Sequence, residues 1–277
     1  MANFPLRQTF IMLSVGLAVA GCNDDRIHNI CSNHAELCQD LVDDGWCRYE
    51  RTDVIRSRFY LKEEGTERRK YALMRNLERY LKCAERSTNI EYKNAREQKS
   101  PRVEGMLAAG DQLAQLDAAT RNSQDPYLLL WHWTNNTNEL ARHQFLALEG
   151  SKALDEPELQ LALGGIYAKS DPEKAIATLQ RGLSLYQEGD KVNSRLLTSL
   201  STLYMGQKQY GLAYLWGKVS ESFQDAPEVS AKRFGIYHTL SKLEQDGYDV
   251  RAAEIIEQLK RGNYRPRDSD DDALPGQ

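Results

Sequence analysis

Leu163-Gly164-Gly165-Ile166-Tyr167, followed by Asp171-Pro172-Glu173-Lys174-Ala175, decides the architecture, because the pattern returns as Leu200-Ser201-Thr202-Leu203-Tyr204 and Tyr210-Gly211-Leu212-Ala213. In each copy a leucine and a small residue precede a tyrosine at helical spacing, a turn follows, and an alanine sits early in a second helix. The two tyrosines stand 37 residues apart. A small residue where two helices cross lets their axes approach, while the tyrosine and leucine fill the gap towards the next pair. Fainter copies flank these two. Leu128, Ala141 and Phe145 keep the register before them, and Leu243, Ala252, Ile256 and Leu259 keep it after, with crossing alanines 34 to 39 residues apart. A period of that length signals stacked helix pairs.

The spacing resembles tetratricopeptide repeats, in which a leucine–glycine pair precedes a tyrosine and an alanine follows nine residues later. Tyr204 to Ala213 is nine residues; Tyr167 to Ala175 is eight, a shortened turn similar to Sel1-type repeats. The resemblance implies that the first helix of each pair lines a concave groove. Carried over position by position, that groove presents Trp133, Gly165, Arg195, Thr198, Thr202, Met205 and Tyr237. Aromatic and arginine side chains are common anchors of binding hot spots. Trp133 and Tyr237 serve equally well as core residues.

Upstream the helical period continues. Tyr71-Ala72-Leu73-Met74, Leu77, Tyr80-Leu81 and Ala84 share one face of a helix opening near Thr66. Ser100-Pro101 starts another, with Val103, Met106, Leu107, Leu113 and Leu116 following and Gly110 loosening it. No alternating strand pattern or hairpin turn is present. The expected fold is all-α: antiparallel helix pairs stacked as a short solenoid behind a disulfide-bridged helical N-terminal region. The expected divisions are 1–21, 22–102, 103–265 and an acidic tail at 266–277, too poor in apolar surface to order itself.

The amino terminus reads as an export signal. Arg7 precedes an apolar run from Phe10 to Ala20, about 18 Å long as a helix and too short for a hydrocarbon core of about 30 Å. Val19-Ala20-Gly21-Cys22 resembles the lipobox of bacterial lipoproteins, which implies cleavage before Cys22 and diacylglycerol on its thiol. Asn23 after it leans, by the same resemblance, towards the outer membrane. Cys31, Cys38, Cys47 and Cys83 remain, an even set in an exported chain, and are expected to form two disulfides. A helix capped by Ser32 and running through Leu41 would hold Cys31 and Cys38 roughly 10 Å apart, too far for a bridge. That leaves 31–47 with 38–83, the pairing adopted here, or 31–83 with 38–47. Gaps of six, eight and thirty-five residues do not match the two-to-four-residue spacing of structural zinc sites.

The net charge of −4 hides a segregation. Residues 48–102 carry 16 Lys and Arg against 9 acids, and residues 103–277 carry 18 against 25. The basic half lies nearer the anchor, where it suits an anionic neighbour or forms a solvated face of local ion pairs. Nucleic acid is not an expected partner of an exported chain. There is no phosphate-binding glycine loop, no His-Glu-x-x-His and no Gly-x-Ser-x-Gly elbow. His132 and His143 are scattered polar residues with Glu139 between them, and Glu156 and Glu158 read as helix-start carboxylates. No cofactor, metal or catalytic residue is expected.

With its cysteine-rich opening and the stretch Trp46-Cys47-Arg48-Tyr49-Glu50-Arg51, the chain resembles the DUF2989 family of mostly marine gammaproteobacterial lipoproteins. The resemblance supports the architecture and implies no activity. The functional expectation is a non-enzymatic scaffold, lipid-anchored on the periplasmic face of the outer membrane, that binds a protein or peptide. The alternative is a peptidoglycan enzyme or accessory factor.

Overall fold

Caps and glycine stops written into the chain set the helix ends of the computed structural model, which describes residues 26–88, 99–223 and 240–266. Among these there are eleven α-helices and no strand. Two compact units divide at Ala119 and Thr120. Residue 102, where the sequence suggested a boundary, lies inside a helix.

The first unit contains α1 (Ile27–Asn33), a 3-10 turn (Ala35–Leu37), α2 (Arg48–Glu64), α3 (Glu67–Thr88) and α4 (Lys99–Thr120), whose last residue falls beyond the division. Gly65 closes α2 in the left-handed region (φ 63), donating its N–H to the Leu61 carbonyl. Thr66 Oγ1 accepts from Arg69 N and opens α3, so the two helices fold back on each other across a two-residue link. Their shared core is Val54, Ile55, Leu73, Leu77, Tyr80 and Ala84, closed by Ile30 from α1 and Ala109 from α4. The apolar face read for α3 is therefore the buried one. On α4 the close approach is made at Gly105, where a Cβ would lie 3.2 Å from the Asp40 carbonyl and 3.3 Å from the Tyr80 hydroxyl. Gly110 has only the Leu81 side chain near it.

Two disulfides hold this unit, but they pair Cys31 with Cys38 and Cys47 with Cys83, each at a Cα–Cα distance of 5.7 Å. The expected 31–47 and 38–83 pairing is corrected. The error was the assumed continuous helix: Ser32 lies near the end of α1, not before a new helix. His34 leaves helical geometry (φ −138, ψ 66), and the 3-10 turn brings Cys38 back over Cys31.

The second unit contains α5 (Pro126–Asn136), α6 (Glu139–Ala147), a 3-10 turn (Lys152–Leu154), α7 (Pro157–Tyr167), α8 (Pro172–Ser184), α9 (Ser194–Gly206), α10 (Tyr210–Glu221) and α11 (Lys242–Lys260). Asp125, Asn138, Asp171 and Asn193 accept from backbone N–H groups at the starts of α5, α6, α8 and α9, and Ser241 with Glu244 forms a reciprocal capping box on α11. Neighbours in sequence pack together: α5 on α6, α7 on α8, α8 on α9, α9 on α10 and α10 on α11.

The quoted motifs sit at close helix crossings. A Cβ on Gly164 would stand 2.8 Å from Leu179 and 3.5 Å from the Ala175 carbonyl. At the matching place in the next pair, Ser201 Oγ donates to the Ala213 carbonyl at 2.8 Å. Ala175 and Ala213 are both wholly buried. Tyr204 is core, whereas Tyr167 is half-buried, donates its hydroxyl to Glu149 at 2.6 Å and carries the Lys174 ammonium 3.9 Å from its ring centre. Of the fainter copies, Leu128, Ala141, Phe145, Ala252 and Leu259 are buried and Ile256 is half-buried. Leu243 is 84% exposed. It shares the single helix α11 with Ala252, so no turn separates them.

Tyr214 of α10 ties the last helix on, donating its hydroxyl to Asp249 at 2.9 Å. Burial, then that carboxylate, pushes its pKa up from the ordinary 10 to about 12. The folded protein therefore holds this proton more tightly than the unfolded chain. The resulting stability is complete below about pH 10 and is lost as pH rises through about 12. Urea unfolding of the wild type and Tyr214→Phe is expected to show a stability difference that shrinks from about pH 9 to about pH 11.5. A difference constant with pH contradicts this linkage.

Candidate functional site

The first helix of each successive pair in the second unit carries the groove residues read from the sequence. On α9, Arg195, Thr198, Thr202 and Met205 recur at intervals of three or four and so share one face. Arg195 and Thr202 are exposed, Thr198 is half-buried, and Met205 leans onto the core. The start of this helix is fixed from beneath. The buried Tyr186 hydroxyl accepts from Asn193 N at 2.9 Å, and Asn193 Oδ1 accepts from Arg195 N at 3.0 Å. Burial raises the Tyr186 pKa, so the phenol stays neutral and in place.

The threonine hydroxyls are not offered outwards. Thr202 Oγ1 donates to the Thr198 carbonyl at 2.8 Å, and Thr198 Oγ1 donates to the Ser194 and Arg195 carbonyls at 3.2 Å. Their methyl groups and the Arg195 guanidinium are what α9 presents. On α7, Gly165 is exposed, and a Cβ there would meet nothing within 4 Å. Gly164 and Gly165 thus divide the work, one closing a helix crossing and the other leaving room on the outer face. On α5, Trp133 is half-buried, with Phe145 at 6.2 Å between ring centres and the Arg142 guanidinium 5.7 Å from its own ring centre. Tyr237 lies outside the described residues, as do Cys22, the segment expected to act as an export signal and the residues from 267 onward.

His132 and His143 differ in setting. His132 is buried, with Thr120 Oγ1 3.0 Å from Nε2 and the Asn136 amide 3.1 Å from Nδ1, whereas His143 is exposed. Glu156 instead accepts from the Tyr127 hydroxyl at 2.6 Å. Among the described residues no three His, Cys, Asp or Glu are grouped to hold a metal ion, and no helix is long and apolar enough to cross a membrane. Several basic side chains of α2 and α3 make local ion pairs: Arg69 with Glu64, Arg75 and Lys82 with Glu78, and Arg79 with Asp53.

Sequence reasoning missed a feature of the first unit. Arg58, on the buried face of α2, donates to both Asp40 oxygens (2.6 and 2.7 Å), the Leu37 carbonyl (2.9 Å) and Gln112 Oε1 (2.9 Å). It joins the disulfide-closed turn to α2 and α4, and an open cleft lies beside it. The available signal was an arginine one turn from Val54 and Ile55, on the apolar face of its helix.

A family model described as a protein of unknown function (DUF2989) matches residues 19–218. No curated protein and no solved structure matches the chain.

Proposed function

The chain belongs to the DUF2989 family, and for it we propose a lipid-anchored scaffold whose helix pairs are tetratricopeptide- or Sel1-like repeats binding a protein or peptide. In this reading residues 1–21 are removed and Cys22 carries the lipid. The protein then sits on the periplasmic face of the outer membrane and is not an enzyme. One observation carries the repeat assignment. Gly164 over Ala175 and Ser201 on Ala213 are equivalent small-residue crossings in consecutive helix pairs. In this reading one face of each first helix forms the groove, with Gly165, Arg195 and Thr202 exposed on it and Trp133, Thr198 and Met205 half-buried at its base. Tyr237 is assigned to the same groove on its sequence register.

Crosslinking in intact cells, followed by mass spectrometry, identifies the partner. The test of the groove is Arg195→Glu combined with Gly165→Arg, which reverses the exposed charge and adds bulk where the structure has room. Partner recovery is expected to fall at least about tenfold, the loss associated with a binding hot spot. Recovery at the wild-type level by a folded double variant would remove the groove assignment. Loss of fatty-acid labelling in Cys22→Ala tests the anchor.

A further inference from the structure

We propose that the first unit carries a separate binding site: a cleft for an alkylammonium group on an apolar stem. Its open volume of about 550 Å³ lies within the usual range for small-ligand sites. Leu37, Leu61, Leu73 and Ala108 give it apolar walls, and α4 adds Asp111 and Gln115, one turn apart on the same face.

The charges around the cleft select the ligand. Asp40 is held by Arg58, whose donors also serve Leu37 and Gln112, and Glu36 is held by Lys62 at 2.9 Å. Among the described residues Asp111 makes no ion pair or hydrogen bond, although it is exposed at the cleft. One uncompensated negative charge therefore faces an apolar recess, while both cations are already occupied. A carboxylate or phosphate finds no free positive partner there. An ammonium pairs with Asp111 as its carbon stem covers the leucines, and the Gln115 side-chain carbonyl stands ready as a second acceptor. The recess is preformed, because the Cys31–Cys38 bridge and the Arg58 hydrogen bonds fix the turn bearing Leu37.

The same chemistry comes from a free hydrophobic amine or from a lysine side chain in a peptide. Calorimetric titration of the full chain with hexylamine and with acetyl-Leu-Lys-amide distinguishes the two, with hexanol and hexanoate as neutral and anionic controls. Saturable binding of at least one cationic probe is expected, the tighter one identifying the source. Asp111→Asn, at an exposed position, is expected to weaken it about fivefold. Ala108→Phe fills the recess and is expected to abolish it. The proposal is overturned if neither cationic probe saturates, if hexanol or hexanoate binds as tightly, or if either folded variant binds like the wild type. None of these results bears on the groove of the second unit.

Discussion

Removing the Cys47–Cys83 bridge by Cys47→Ser with Cys83→Ser is expected to lower the stability of the first unit by about 4 kcal/mol. The bridge spans 36 residues and joins the residue before α2 to the last turns of α3. In the unfolded chain it forbids most separations of those two ends, and serine restores that freedom. The Cys31–Cys38 bridge spans only 7 residues, so the same reasoning gives about 2.5 kcal/mol for Cys31→Ser with Cys38→Ser. Urea unfolding followed through the helical signal of the isolated pairs of variants reads both numbers. The ordering is the sharper part of the expectation. If losing the short bridge costs more than losing the long one, chain entropy is not what these bridges mainly control.

Arg58→Leu is expected to cost about 3 kcal/mol, at the lower end of the range for breaking a buried ion pair. The Arg58 side chain is 6% exposed and that of Asp40 33%, so Asp40 recovers part of its hydration when the arginine is lost. The Leu37 carbonyl and Gln112 Oε1 lose their donor as well. Arg58→Lys keeps the charge but cannot reach both carboxylate oxygens and two further acceptors from one planar fork, so it is expected to fall between leucine and the wild type. The measurement is the urea midpoint at unchanged slope. An Arg58→Leu protein as stable as the wild type would mean that the fork is ornamental. Asp40→Asn tests the same contact from the other side and should cost at least as much, because the amide keeps one acceptor but leaves the more deeply buried arginine without its counter-charge.

Local periodicity made most of the helices legible. The apolar faces of α3, α7 and α9 are written at intervals of three and four, and Asp171-Pro172 marks the start of α8 without ambiguity. Small residues at helix crossings were legible too, since Ala175 and Ala213 occupy the places their spacing from Tyr167 and Tyr204 required. What failed were features decided over distance. The disulfide pairing turned on one residue, His34, whose backbone leaves the helix where nothing in its side chain forbids helix. Gly110 looked like the flexible point of α4, yet Gly105 makes the tight contact, because packing partners 25 and 65 residues away cannot be seen from α4 alone. Leu243 matched the repeat register and lies in solvent, since a match of residue type says nothing about whether a turn follows. The Arg58 network was hidden for the same reason: its acceptors come from positions 37, 40 and 112. For the proposed groove, the sequence could not show that the hydroxyls of Thr198 and Thr202 are spent on their own backbone.

Because each helix of the second unit rests mainly on the helix before or after it, little of its chain must search for a remote partner. Low contact order of this kind favours rapid folding. It also lets a polypeptide emerging end-first consolidate α5 with α6 before α9 and α10 have been delivered. A unit built this way is suited to threading through a narrow passage as an extended strand and regaining its shape stepwise on the far side.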